Sequence, residues 1–242
     1  MKTQILLTAI LPVLLLISFN TTGAQTIKGN GTVSKRTYNL GSFDKIELNG
    51  IFNTVLTQGT EEKVVIETDD NLQQYIKPVV NGSTLKIELK DDVSIRNTTK
   101  MDVYVTLKDL RTLLNNGVGN ISSGSKLSLR DLRIESNGVG NIKLDLEADK
   151  LVLEMASVGN IKLEGSADEG DFMISGVGNV KADNMSINTL KIKSSGVGNA
   201  NVYVTDVIYP EIEGAGNIRC KGNPTVKDLK KSGVGNFKLK ND

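Results

Sequence analysis

Histidine and tryptophan are absent from this 242-residue chain, cysteine occurs once, and aromatic residues make up 4%. Each absence excludes something. Without histidine there is no Ser-His-Asp or Cys-His machinery and no His-ligated zinc. One cysteine makes neither an internal disulfide nor a Cys-cluster metal site. Neither sign of charge dominates, since 29 Lys+Arg meet 28 Asp+Glu. The basic excess of a general nucleic-acid binder is therefore missing. No cofactor, metal or nucleic-acid partner is expected. Sugar-stacking platforms are scarce, leaving Tyr203 and Tyr209 as the aromatic candidates for a contact surface. What the chain does have is 24 glycines, 23 asparagines and 38% hydrophobic residues, enough for a core at this length.

The first segment reads as a signal peptide, residues 1–24. Lys2 supplies positive charge, Ile5 to Phe19 is almost wholly apolar, and Thr22-Gly23-Ala24 offers small residues for cleavage. The run is short for a membrane span and carries Pro12. The only cysteine is Cys220, so no lipid anchor is expected next to the apolar run. After cleavage no membrane span is expected in residues 25–242. The expected location is exported, either periplasmic or on the cell surface.

A four-residue motif then recurs seven times. Its copies are Gly117-Val118-Gly119-Asn120, Gly138-Val139-Gly140-Asn141, Ser157-Val158-Gly159-Asn160, Gly176-Val177-Gly178-Asn179, Gly196-Val197-Gly198-Asn199, Gly214-Ala215-Gly216-Asn217 and Gly233-Val234-Gly235-Asn236. The Asn-to-Asn steps are 21, 19, 19, 20, 18 and 19 residues. Such a period marks a solenoid. After each Asn the chain alternates apolar and polar, as in Ile142-Lys143-Leu144 and Ile161-Lys162-Leu163, which is a half-buried strand. Seven residues before most of these Asn lies another apolar position: Ile134, Leu153, Phe172, Ile192 and Leu229. Two or three short strands per repeat, with no room for a helix, predict an all-β coil stacked in parallel at ~4.8 Å. The motif reads as its structural corner, with Gly and Asn supplying left-handed backbone and Asn hydrogen-bonding up the stack. A calcium-binding β-roll would need Asp among the glycines, and none is there.

The repeated Gly-Val-Gly-Asn corners resemble the head domain named GIN of auto-transporter adhesins, common in exported Bacteroidetes proteins. Phe43 to Asn53, continuing Thr54-Val55-Leu56-Thr57-Gln58-Gly59 and Val64-Val65-Ile66-Glu67, is similar to that family's first coil. The resemblance spans about residues 40 to 238. It implies a single-stranded right-handed parallel β-helix with a surface or periplasmic location.

The expected layout is one domain over 25–242, with irregular coils and a cap over 25–113 and regular repeats over 114–242. Asp70 to Lys77 reads as a short helix capped by Asp69 or Asp70 and closed by Pro78, and Asn81-Gly82 as a hairpin turn. The last strand, Phe237 to Lys240, is expected to be an exposed edge, either guarded against pairing by Lys238 and Lys240 or a docking point for a homo-oligomer. Lys143, Lys162, Lys181, Arg219 and Lys238 are expected to stack on one outer face with Asp145, Glu164 and Asp183 beside them. That face is either solvated and self-neutralising or a contact surface for an anionic ligand. Asp168, Glu169 and Asp171 are the nearest carboxylate cluster and read as a Gly-flanked turn. Cys220 falls on an inward position and reads as a small hydrophobe. The function expected is non-catalytic binding of a glycan, envelope component or protein. A polysaccharide hydrolase or lyase is the alternative.

Overall fold

The computed structural model describes residues 25–240; the expected signal segment 1–24 lies outside them. The chain forms a β-solenoid. Four long strands, Ile142–Met155, Ile161–Ile174, Val180–Ser194 and Ala200–Ile212, each run most of one repeat and pair in parallel with the next. In these four coils the two or three short strands expected per repeat are one continuous strand with a bend, while the coils after Asn120 and Asn217 keep three short strands each. The first half of each long strand builds one sheet after the corner and its second half builds another leading into the next corner. The corners supply a third, minimal side, where Val118, Val139, Val158, Val177 and Val197 form single parallel bridges.

Alternation puts one apolar residue in two into the interior, and parallel register stacks like on like. Ile46, Leu113, Ile134, Leu153, Phe172 and Ile192 form one such buried row. Each full burial of this kind is worth about 1.5–3 kcal/mol before ordering costs. Cys220 stacks on Val202 and is fully buried. Leu229 departs from the expected row: it lies outside any strand and is 51% exposed.

The N-terminal part is not simply an irregular extension. Lys45–Asn49 and Asn53–Gln58 are the first coil, paired in parallel with Thr112–Asn115 and Ile121–Ser123. On their other side lie later segments, Thr84–Leu89 and Met101–Leu107, also parallel. The chain therefore builds one coil, folds back beneath it, and resumes the solenoid at Thr112. Antiparallel strands Val33–Tyr38 and Lys63–Asp69 cover one sheet, and Ile76–Asn81 covers the other.

The expected helix at Asp70 is a 3₁₀ segment, Asp70–Tyr75, and it stops before Pro78. Pro78 instead occupies the edge strand Ile76–Asn81, where its missing N–H costs little. The side chain of Asp69 does not cap the segment; it bonds elsewhere. The hairpin turns on Gly82 and Ser83, with Gly82 at φ 60°. Asp168, Glu169 and Asp171 are also corrected: they lie inside the strand Ile161–Ile174, and Asp168 accepts a hydrogen bond from Asn188 at the bend.

The corner glycines serve two needs. At Gly178 φ is +145°, and a Cβ there would overlap the carbonyl oxygen of Gly159 in the preceding coil. At Gly176 φ is ordinary, and the need is close approach alone, since a Cβ would overlap the Ser157 carbonyl. The asparagines differ from expectation. None of the seven corner Asn has positive φ. Their contribution is the side chain, described next.

Candidate interaction face

The ladder of asparagines runs the length of the stack. Each Oδ1 in the row Asn53, Asn120, Asn141, Asn160, Asn179 and Asn199 accepts the side-chain amide of the next coil's Asn at 3.0–3.3 Å. Most also accept that residue's backbone N–H. At the far end Asn217 Oδ1 accepts the backbone N–H of Asn236 at 3.0 Å. The row begins at Asn53, in the corner Gly50-Ile51-Phe52-Asn53, which sequence reading missed. Its spacing to Asn120 is 67 residues because the folded-back segment is inserted between them. The sequence signal was the alternation Thr54-Val55-Leu56 directly after it. These amides are consumed within the stack.

Beside this ladder stand the corner valines. Val118, Val139, Val158, Val177 and Val197 are each 49–58% exposed, a continuous apolar ridge that the sequence reading did not single out. Each is preceded by a glycine, or by buried Ser157 in the case of Val158, and followed by a glycine.

On the sheet after the corner the cations are in register. Lys143 pairs with Lys162, Lys162 with Lys181, Lys181 with Asn201, Asn201 with Arg219, and Arg219 with Lys238. Asn201 thus interrupts an otherwise basic row. Only Lys162 is held in an ion pair among the described residues, by Glu164 at 2.6 Å. That contact keeps Glu164 below the usual carboxylate range.

The acidic row is shorter than expected. Asp145 pairs with Glu164, but a bulge then sets Glu164 opposite Asn184 and displaces Asp183. Asp183 instead meets Lys221 at 3.2 Å. Tyr203 lies not in the cation row but one row over, opposite Lys221. It is half-buried, and its ring covers Gly222. Toward the last coils the outward positions are therefore Tyr203, Lys221 and Lys240, with no further carboxylate in that row.

Several cations elsewhere are held in ion pairs. Lys100 donates to Glu67 at 2.7 Å, Arg133 bridges Glu135 and Glu154, and Lys193 reaches Glu211 and Glu213 at 2.9 and 2.8 Å. No group of three metal-ligating side chains occurs among the described residues. No described helix is long and apolar enough to cross a membrane.

A family model described as "Putative auto-transporter adhesin, head GIN domain" matches residues 42–224. The chain belongs to this family. The solenoid also resembles solved structures. A putative adhesin from Bacteroides fragilis is 34% identical, covering 88% of this chain and 99% of that one, with a TM-score of 0.85. A putative adhesin from Parabacteroides merdae is 25% identical, covering 89% and 99%, with a TM-score of 0.65. A structure from Parabacteroides distasonis described as a putative lipid binding protein is 23% identical, covering 89% and 99%, with a TM-score of 0.71. At that identity the likeness is one of fold. No curated protein matches the chain.

Proposed function

We propose that the chain is an exported, non-catalytic binding protein of the adhesin class. It works in the periplasm or on the cell surface and holds an anionic glycan or envelope component along its basic row. One observation carries this reading: Lys143, Lys181, Arg219 and Lys238 lie in one row of the sheet with no carboxylate partner among the described residues. Like charges one coil apart repel by about 1 kcal/mol even in water-like dielectric. An external anion relieves that repulsion. At roughly 1 kcal/mol per cation near an anionic surface, four cations give about 4 kcal/mol, a millimolar contact. Such a contact gains strength when many copies meet one surface.

Catalysis is not favoured. Glycosidic cleavage needs one carboxyl raised to act as general acid. Glu62, Glu67, Asp69, Glu164 and Glu211 are all shifted the other way, held ionised by cations or N–H donors.

The test is binding of residues 25–242 to acidic polysaccharides and to vesicles with and without phosphatidylglycerol. The triple variant Lys143→Glu, Lys162→Glu, Lys181→Glu is run beside the parent. Binding that falls at least tenfold in the variant and weakens with salt supports the proposal. Unchanged binding in the variant, or cleavage of a polysaccharide, defeats it. The two kinds of surface distinguish a glycan from a lipid headgroup.

A further inference from the structure

We propose a second site on the opposite sheet, a trough around Tyr209 that takes a linear, uncharged oligosaccharide. It is separate from the basic row and does not rest on it.

The trough exists because the last coil leaves the sheet. Val207 and Ile208 pair with Thr225 and Val226, and Glu211 and Ile212 pair with Lys230 and Lys231. Between them Tyr209 and Pro210 face three residues, Lys227 to Leu229, that leave the sheet, with Asp228 at φ 51°. Tyr209 thereby loses its outer neighbour, and a groove of about 320 Å³ opens beside its ring. A hollow of about 170 Å³ shares Asp171, Lys191 and Tyr209 and extends the groove toward Glu169 and Thr189. Another of about 240 Å³ shares Met173 and Lys193 and extends it toward Ser175 and Ser195. The three follow one another along the strands, each sharing lining residues with the main groove. From Glu169 to Ser175 they run roughly 20 Å at strand spacing, several sugar rings long.

The lining selects the ligand class. Tyr209 and Met173, the latter 43% exposed, form the apolar floor. An aromatic ring beside apolar surface suits the C–H face of a sugar. Around it stand Asp171, Lys191 and Lys230, with no ion-pair partner among the described residues, so they offer both acceptors and donors to hydroxyls. Three lysines and three carboxylates line the main groove, so it has no net charge to attract a polyanion. A peptide strand is disfavoured, because Ile161–Ile174 and Val180–Ser194 are hydrogen-bonded on both sides, and the outer edge of Ala200–Ile212 in the groove is open only at Tyr209 and Pro210, too short to pair with a strand.

The experiment uses residues 25–242 and a set of neutral hexasaccharides: cellohexaose, mannohexaose, xylohexaose and chitohexaose. Binding is read by isothermal titration calorimetry, because four further tyrosines would mask the ring in fluorescence and Tyr209→Ala removes it. At least one hexasaccharide is expected to bind saturably, with little response to a tenfold rise in salt. Tyr209→Ala should weaken it at least tenfold and Tyr209→Phe should retain it. Met173→Glu, at an exposed position, should also weaken it with the fold intact by circular dichroism. Absence of binding by all four sugars overturns the proposal. So does binding that survives both Tyr209→Ala and Met173→Glu. Loss of sugar binding in the Lys143→Glu, Lys162→Glu, Lys181→Glu variant would assign the ligand to the other face and would equally overturn it.

Discussion

The side-chain oxygen of Asn160 accepts two hydrogen bonds from Asn179, one from its backbone N–H at 3.2 Å and one from its amide at 3.0 Å. Asn160 in turn donates its own amide to Asn141. One side chain thus ties three coils together. Asn160→Ala is expected to cost about 1–2 kcal/mol, since two bonds and a corner donor are lost at an exposed position. Asn160→Asp should cost as much, because a carboxylate has no amide to give Asn141. Urea unfolding midpoints of the two variants check this.

Glycine is required at some positions and idle at others. Gly178→Ala places a Cβ on the Gly159 carbonyl at φ +145° and is expected to cost at least about 3 kcal/mol. Gly41 has nothing within 4 Å and no positive φ. Gly41→Ala should stay within about 0.5 kcal/mol of the parent. Equal effects of the two substitutions in thermal unfolding would contradict the corner argument.

The basic row should show opposite signs in stability and binding. Lys181→Glu puts an acid in line with Lys162, replacing a repulsion with an attraction. A gain of up to about 0.5 kcal/mol in stability is expected, since cross-strand pairs on an exposed sheet are worth little. Binding to the anionic surface should fall in the same variant. A structural role for the row would instead lower both.

Acid should open the cap before the coils. Burial alone would raise Asp69, but the N–H groups of Thr99 and Gly31 and the Thr99 hydroxyl bring it below the usual range. Glu67 is lowered by the bond from Lys100. Lowered carboxylates stabilise the fold above their unfolded pKa, and that contribution is lost as pH falls through the lower folded values. Hydrogen exchange below pH about 4 should therefore show residues 29–38 and 97–107 losing protection first. Asp69→Ala should mimic this at neutral pH at a cost of about 3 kcal/mol.

Burial pushes the Cys220 thiol up to about 11. The folded protein should resist a thiol reagent at pH 8 and react fully once unfolded. The raised value favours the protonated thiol in the folded state. Its contribution is complete below the ordinary thiol pKa and is lost as pH rises from there through the folded value. Cys220→Ser should cost about 1–2 kcal/mol through the buried hydroxyl.

The regular coils were legible in the sequence because their causes are local. A two-residue alternation around Ile142 or Ile161 states which side chains face inward, and a 19-residue period leaves room only for a corner and strands. Parallel register then follows, so that Lys143 meets Lys162 and Ile142 meets Ile161. What lay beyond the sequence was any contact between segments out of chain order. The first corner at Asn53 belongs beside Asn120, yet the inserted residues hide the period. The bulge that moves Asp183 to Lys221 depends on how one strand accommodates its neighbour. The groove at Tyr209 appears only where the last coil fails to pair. Alternation and period by themselves determined the solenoid and its core, because each coil repeats the same local conditions. The cap, the available charges and the trough were decided by the tertiary structure, because each depends on which distant segment pairs, or fails to pair, with a given strand.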